Sequence, residues 1–422
     1  MQTPNPRRWT ALGVIALAQF VVIMDTSIIG VALPEIRAEL GFTPENLSWV
    51  FNAYVVAFGG LLLLGGRLSD LLGAKRIFAA GWVVLAAGSL AAGLASSAEV
   101  EIAARAVQGA GAALIAPSAL TLLITLFAHD QKELMKAFAV YGAASPAGGT
   151  AGVFLGGVIT EWVSWPWVFY INLPIALVAL ALIPGLMPAV AARRGSIDVA
   201  GAVTATAGLA LTVFSIVRAP EEGWASAATL VTLAGGVGLL ALFVALQARL
   251  REPLMRLAIF RAPNLAVANL SLVLVGAAWV PTWFFLNLYL QQVLGFGAFE
   301  GGAALLPMTI TVTVLMVAIA PRVIVRLGPK ASIVGGMLIL AAGMALFSLI
   351  RPDGTFLVDV LPASLIAAAG MTLPFIPSLN TAISAARPEE GGLASGIATT
   401  AYQVGSALGL AVMTALATSQ GA

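Results

Sequence analysis

One carboxylate and one guanidinium fall where the hydropathy of this chain leaves room only for hydrocarbon. Asp25 lies inside ALGVIALAQFVVIMDTSIIGVALP, residues 11–34, and about 20 mostly apolar residues suffice to cross a bilayer. Arg105 lies in a second such run, residues 100–127. A charged side chain at mid-membrane costs roughly 2.5–3.5 kcal/mol on insertion scales, and such residues are usually functional. At about 1.5 Å of rise per residue, Asp25 is expected roughly 13 Å from a helix end at Pro34. Arg105, six residues past Glu99, is expected about 9 Å deep from the same side, so the two can meet. Desolvation raises a carboxylate's pKa and a nearby guanidinium lowers it. A change in water access or in the separation of the pair would therefore load and release a proton. A static pair fixing the first helix against the fourth is the other reading, although buried pairs add little net stability.

Other chemistries find no residues to carry them. Without cysteine there is no disulfide, thiolate ligand or Cys nucleophile. The single histidine, His129, sits in the polar connection HDQKELMK, so no histidine-based metal or catalytic cluster is expected. No second buried carboxylate is expected beside Asp25. That argues against a membrane-embedded enzyme and against any metal or organic cofactor, and leaves protons as the coupling ion.

The elements that must position the pair follow from composition and periodicity. The 422 residues are 60% hydrophobic and only 9% charged, against about a quarter charged in soluble domains, which predicts an all-α polytopic membrane protein. The 44 glycines suit helices packed through small residues. A net charge of +2 gives no reason to expect nucleic acid. The first apolar run is too long for the core of a signal peptide and lacks a cleavage site, so it reads as a retained anchor. Spans are expected near 11–33, 47–66, 77–96, 100–127, 136–159, 167–188, 198–217, 226–248, 264–291, 300–325, 331–350, 357–383 and 391–417. Of the 21 Lys and Arg residues, three (Arg37, Arg218, Arg351) fall in loops away from the N-terminus and one (Arg105) inside a span. The remaining 17 (21 − 3 − 1) gather on the N-terminal side, which predicts a cytoplasmic N-terminus.

RLSDLLGAK at 67–75 repeats as RVIVRLGPK at 322–330, an offset of 255 (322 − 67), and LGF at 40–42 repeats at 294–296. Duplicated halves with a substrate site between them are a transporter arrangement. The expected division is a six-helix bundle over 1–190, two inserted helices over 191–262 and a second bundle over 263–422. Only five spans are visible in that second bundle; either the C-terminus lies outside or a further helix follows Ala422, and the further helix is the expectation.

The motifs resemble those of the major facilitator superfamily, and in particular its fourteen-helix drug:proton antiporters. GGRLSDLLGAKR at 65–76 resembles motif A, RAVQGAGAA at 105–113 motif B, and GGTAGVFLGG at 148–157 the antiporter motif C. DTSIIGVALP at 25–34, WPWVFYINLP at 165–174 and FFLNLYLQQVLGF at 284–296 are similar to further signatures of that subfamily. The match depends on their order and spacing over nearly the whole chain. Departures are Gly30 for an asparagine, Val153 for a proline, Pro166 for an arginine, and Val325 where the first motif A copy has Asp70.

The resemblance implies two pseudo-symmetric six-helix bundles plus two inserted helices in the cell's inner membrane. It also implies proton coupling at Asp25 and Arg105. Asp70, with Gly73, Lys75 and Arg76, is implied to latch the cytoplasmic side against a helix beginning near PEEGGLASG, where the macrodipole favours a carboxylate. A plain positive-inside turn is the alternative. Gly148, Gly149, Gly152, Gly156 and Gly157 line one helical face, suited either to close packing or to a proton-tight surface against the second half. Polar and aromatic candidates for a central cavity are Gln19, Asn52, Tyr54, Gln108, Tyr141, Trp279, Trp283, Asn287, Tyr289, Tyr402 and Gln403, though Trp and Tyr equally populate interface belts. The implied function is proton-coupled export of hydrophobic, cationic or zwitterionic drugs by a monomer with lipid as its surroundings. A lipid or metabolite carrier on the same fold, or a non-transporting receptor, are the alternatives.

Overall fold

Backbone breaks at a few glycines and polar loops divide this chain into its helices. The computed structural model describes residues 7–127, 129–189, 197–250, 253–351, 353–385 and 391–419. The first helix, α1 (Arg8–Leu40), ends on Gly41 in the left-handed region (φ +69°), whose N–H reaches Arg37 O. It runs six residues past the expected end, straight through Pro34, which removes only one intrahelical donor. Asp25 therefore lies about 22 Å from the end of α1, rather than about 13 Å.

The remaining helices of the first half are α2 (Trp49–Leu72), α3 (Ala74–Gly93), α4 (Ala98–Phe127), α5 (Gln131–Trp162) and α6 (Asn172–Leu186), the last preceded by one helical turn at Trp167–Tyr170. Next come α7 (Val199–Glu222) and α8 (Ala227–Arg249), N-capped by the side chains of Asp198 and Ser226. Then α9 (Leu265–Leu288) runs on into a π-turn, Tyr289–Val293. α10 (Ala298–Val314) passes through a second π-turn into α11 (Ala320–Phe347), followed by α12 (Leu361–Ala385) and α13 (Gly391–Ser419).

Among the described residues, eleven segments are long and apolar enough to cross a membrane. One of them, Ala298–Phe347, has 50 residues. A straight helix of that length would be about 75 Å long, against a hydrocarbon core of about 30 Å. Gly328, at φ +80°, breaks it into two crossings. Gly73, at φ +93°, makes the same break between α2 and α3. The two glycines stand 255 residues apart (328 − 73), the offset of the sequence repeat, and each supplies a conformation that costs other residues a Cβ clash.

The end of the molecule where α1 begins is its near face, and the end where α1 stops is its far face. Within the first half α1 packs on α5, and α4 lies against both α2 and α3; in the second half α11 packs on α12 and α9 on α13. Two seams join the halves, α5 against α10 and α2 against α13. The inserted α7 lies over the second seam, touching both α2 and α13.

Candidate functional site

Four helices bring one polar side chain or more to a single dry point in the first half. Asp25 of α1, Ser89 of α3, Arg105 and Gln108 of α4 and Asn172 at the start of α6 are all fully buried. Arg105 and Gln108 share a face of α4 because they stand three residues apart. Arg105 Nη1 donates to Asp25 Oδ2 at 2.6 Å and to Gln108 Oε1 at 2.7 Å, and Nε donates to Val50 O at 2.9 Å. Asp25 Oδ1 accepts from Gln108 Nε2 at 3.0 Å and from Asn172 Nδ2 at 2.8 Å. Both amides also donate to Ser89 Oγ, at 2.8 and 3.2 Å. The guanidinium lies over the Tyr54 ring, 4.7 Å from its centroid, and 5.8 Å from that of Phe169.

Three donors on one carboxylate and an aromatic face under the cation are what keep two charges tolerable in this interior. Satisfaction is incomplete: Arg105 Nη2 and Asn172 Oδ1 have no hydrogen-bond partner. Ser89 and Asn172 beside the carboxylate can turn to suit either its charged or its neutral form, because each carries both a donor and an acceptor, whereas Gln108 is held by its bond from Arg105.

One expectation fails here. A second buried carboxylate does exist: Glu101 is fully buried one turn along α4 from Arg105, and neither of its oxygens has a hydrogen-bond partner. Its spacing of four from Arg105 is the one signal the sequence offers for it. Asn172 and Ser89 also escape a reading of the sequence. Asn172 sits within WPWVFYINLP, whereas Ser89 stands in an ordinary small-residue run that marks nothing.

The glycine stripe divides by direction. A Cβ at Gly148, Gly152 or Gly156 would lie 2.4, 2.7 or 2.7 Å from the carbonyls of Phe20, Met24 and Ile28, so this face closes on α1 within the first half. It holds α1 at backbone contact on either side of Asp25. Gly149 faces the same helix more loosely, its Cβ position 3.8 Å from Ser27 Oγ. Gly157 alone of the five meets the second half, 3.0 Å from Ala298 O, beside Gly302, which lies against Val153 O. At Gly30, which stands in place of an asparagine, any side chain would meet Asn287 Nδ2 of α9 at 2.9 Å.

The proposed cavity residues do not converge on one space. Tyr54 and Gln108 touch the pair, whereas Asn52, also fully buried, reaches Ser48 Oγ one turn back, at the start of its own helix, at 3.5 Å. Gln19 accepts from Tyr141 OH at 2.7 Å and donates to Ser145 Oγ at 2.9 Å, forming a separate polar cluster between α1 and α5. Trp279 and Tyr402 pack with Phe375, while Gln403 lies on Gly59 at the α2–α13 seam. Trp283 is half-buried and its carbonyl accepts from Asn287. Tyr289 is a correction: its hydroxyl donates to Arg351 O in the loop before α12, away from any central space. In that loop Arg351 pairs with Asp359, whose hydrogen bonds and charge raise the guanidinium's pKa above its ordinary value.

Of the motif A group, Lys75 Nζ donates to Pro184 O at 2.7 Å near the end of α6. Asp70 is half-buried, and residues 386–390 of its expected partner segment lie outside the described residues. Across the far face, Glu161 Oε2 accepts from the backbone N–H groups of Ala298 and Phe299 at the start of α10, and Trp162 stacks on Phe299. Gln291 Nε2 reaches Val31 O there as well. At mid-depth, below those contacts, α5 and α10 part around a groove of about 530 Å³ lined by Ala147, Phe154, Leu306 and Ile310, among others, and none of the candidate cavity residues lines it.

Comparison with known proteins agrees with this architecture. A family model described as the Major Facilitator Superfamily matches residues 15–410. The cephamycin export protein of Amycolatopsis lactamdurans is 41% identical over 408 residues, covering 96% of this chain and 84% of its own length. The puromycin resistance protein of Streptomyces alboniger is 37% identical, with 99% and 83% covered. Among solved structures, a POT family transporter superposes with a TM-score of 0.72 at 15% identity, covering 99% and 90% of the two chains. A D-xylose-proton symporter gives 0.66 at 14%, covering 96% and 90%.

Proposed function

The chain belongs to the Major Facilitator Superfamily, and from that premise we propose that this membrane transporter is a proton-driven exporter of hydrophobic, cationic or zwitterionic drug-like compounds. Relatives named for cephamycin export and puromycin resistance support the substrate class. The observation that carries the coupling is Asp25 itself, fully buried and bonded to a guanidinium and two amides from two other helices. A proton arriving at Asp25 removes the charge that holds Arg105, Gln108 and Asn172 in this arrangement. A ligand shifts a conformational equilibrium by its differential affinity for the two states, and a proton bound at this node is such a ligand.

In this reading the near face is cytoplasmic, and the bundles of 1–190 and 263–422 rock about a substrate space between them. Of the two inserted helices, α7 rides on the α2–α13 seam and α8 packs on α7. Contacts at the far end of α5 and α10, above the groove that parts them at mid-depth, support a state closed to the outside. Asp70 and the start of α13 would close the near face in the opposite state, with the macrodipole favouring the carboxylate. The transporter works as a monomer, with no cofactor but protons.

Liposomes holding the purified protein test the reading. An imposed proton gradient is expected to drive puromycin accumulation by the wild type and not by Asp25→Asn, while puromycin–puromycin exchange persists in both. Wild-type accumulation by Asp25→Asn would overturn the coupling assignment.

A further inference from the structure

Glu101 has no role in that reading, yet its situation is harder to explain as packing than that of any other acid among the described residues. It is fully buried, and both carboxyl oxygens are without a hydrogen-bond partner. A buried carboxylate left ionised and unpaired is among the costliest groups a protein can hold, so in this arrangement the side chain is the neutral acid. It lies four residues from Arg105 on α4, on the same face and about 6 Å nearer the far side. Arg105, for its part, keeps one buried nitrogen, Nη2, without a partner.

The charged groups that act on Glu101 are Arg105 on its own helix and Asp25 on α1. Its helix also carries Glu99, which is exposed. The neighbouring α2 and α3 hold their charges, Arg67, Asp70, Lys75 and Arg76, at the opposite, near-face end. On α1, Glu35 and Glu39 stand further toward the far face, Glu39 accepting from Trp165 Nε1 at 2.6 Å. Tyr170, on the turn before α6, donates to Gly93 O.

We propose that Glu101 is a second proton-carrying carboxyl, placed between the far face and the Asp25–Arg105 pair, that passes its proton to Asp25 as Arg105 changes partner. The proposal rests on proton coupling at Asp25. In the step, the Glu101 O–H bond breaks and an O–H bond forms on Asp25, while Arg105 stays protonated throughout. Its guanidinium leaves Asp25 and engages the newly charged Glu101 through the face that now has an unpartnered Nη2. The cluster's net charge is unchanged, so no uncompensated ion appears in the interior during the transfer. Reprotonation of Glu101 from the far side completes the cycle. Two orphaned groups one turn apart, a buried acid and a buried donor, are thereby given one purpose.

Two readouts on the full chain test this. Infrared spectra of the purified protein should contain the carbonyl stretch of a protonated, weakly hydrogen-bonded carboxyl that shifts in heavy water. The band should be lost in Glu101→Gln and weakened in Asp25→Asn, whose neutral amide leaves Arg105 free to pair with an ionised Glu101. In liposomes, Glu101→Gln should slow proton-driven puromycin accumulation by about 100-fold or more, the scale of a lost proton-transfer group. Puromycin–puromycin exchange should stay unchanged, which a general packing defect would not allow. Persistence of the band in Glu101→Gln, or proton-driven accumulation at the wild-type rate, overturns the proposal. Should Glu101→Gln fail to give monodisperse protein, Glu101→Leu, which fills the same dry site, is read by the same outcomes. Wild-type accumulation by Asp25→Asn would instead overturn the coupling on which the proposal rests. A defective Asp25→Asn beside a normal Glu101→Gln would sink the relay alone.

Discussion

Replacing Asp25 with asparagine keeps the shape of the side chain and removes its charge, and the hydrogen bonds around it set the cost. In the native node Oδ2 takes Arg105 and Oδ1 takes both amide donors, Gln108 and Asn172. Asparagine has one oxygen. Placed at Oδ1, it turns its NH2 toward Arg105; placed at Oδ2, it turns that NH2 toward two donors. Gln108 cannot rotate to help, because its Oε1 already accepts from Arg105 at 2.7 Å. The guanidinium then loses its counter-charge, and breaking a buried pair this way costs up to about 3–5 kcal/mol, less whatever an ionised Glu101 restores. Arg105→Gln strands Asp25 instead, but a carboxyl can neutralise by binding a proton, so about 1–3 kcal/mol is expected. The double variant leaves no charge stranded and should be more stable than Asp25→Asn alone, so the coupling energy should be at least the cost of Arg105→Gln, about 1–3 kcal/mol. Unfolding by SDS in mixed micelles, followed by tryptophan fluorescence, measures all four proteins. Additivity of the single costs within about 0.5 kcal/mol would refute the reasoning, because it would mean the pair contributes nothing as a pair.

Other consequences can be checked alongside. Gly152→Ala puts a Cβ 2.7 Å from Met24 O and should cost about 1–3 kcal/mol of stability, whereas Gly149→Ala, with its nearest atom at 3.8 Å, should cost almost nothing; thermal denaturation compares them. Asn172→Ala removes one of the two amide donors to Asp25 Oδ1 and should lower stability by about 1–3 kcal/mol, as read in the same micelle titration. Glu161→Gln takes a carboxylate from the start of α10, an interaction of about 0.3–1 kcal/mol, and should raise the far-face-open population roughly two- to fivefold. Because the chain has no cysteine, spin labels at single introduced cysteines on α5 and α10 can report that population by distance measurement.

The pairing of Asp25 with Arg105 is legible in the sequence because depth along a helix is one-dimensional: each residue adds a fixed rise, and two charges in hydrocarbon have few partners to choose from. The break at Gly328 is legible too, because the repeat carries the Gly73 turn to its second copy. The extension of α1 through Pro34 is not, since a proline ends a helix or merely bends it according to what packs around it. Glu101 escapes for a related reason. An acid near the start of a span is normally at the surface, and only the helices packed over this one make it dry.

Composition, hydropathy and repeat spacing thus determined the class of protein, the order of its spans and the presence of one charge pair inside them, because these depend on transfer of residues from water and on distance along the chain. Tertiary structure alone decided which helix each face meets. It set three of the motif C glycines against the carbonyls of Phe20, Met24 and Ile28, added Ser89 and Asn172 to the carboxylate, and sent Tyr289 to a loop. Helical periodicity gives the direction of a side chain relative to its own axis. What lies in that direction is chosen by packing between segments far apart in sequence, and no local pattern encodes it.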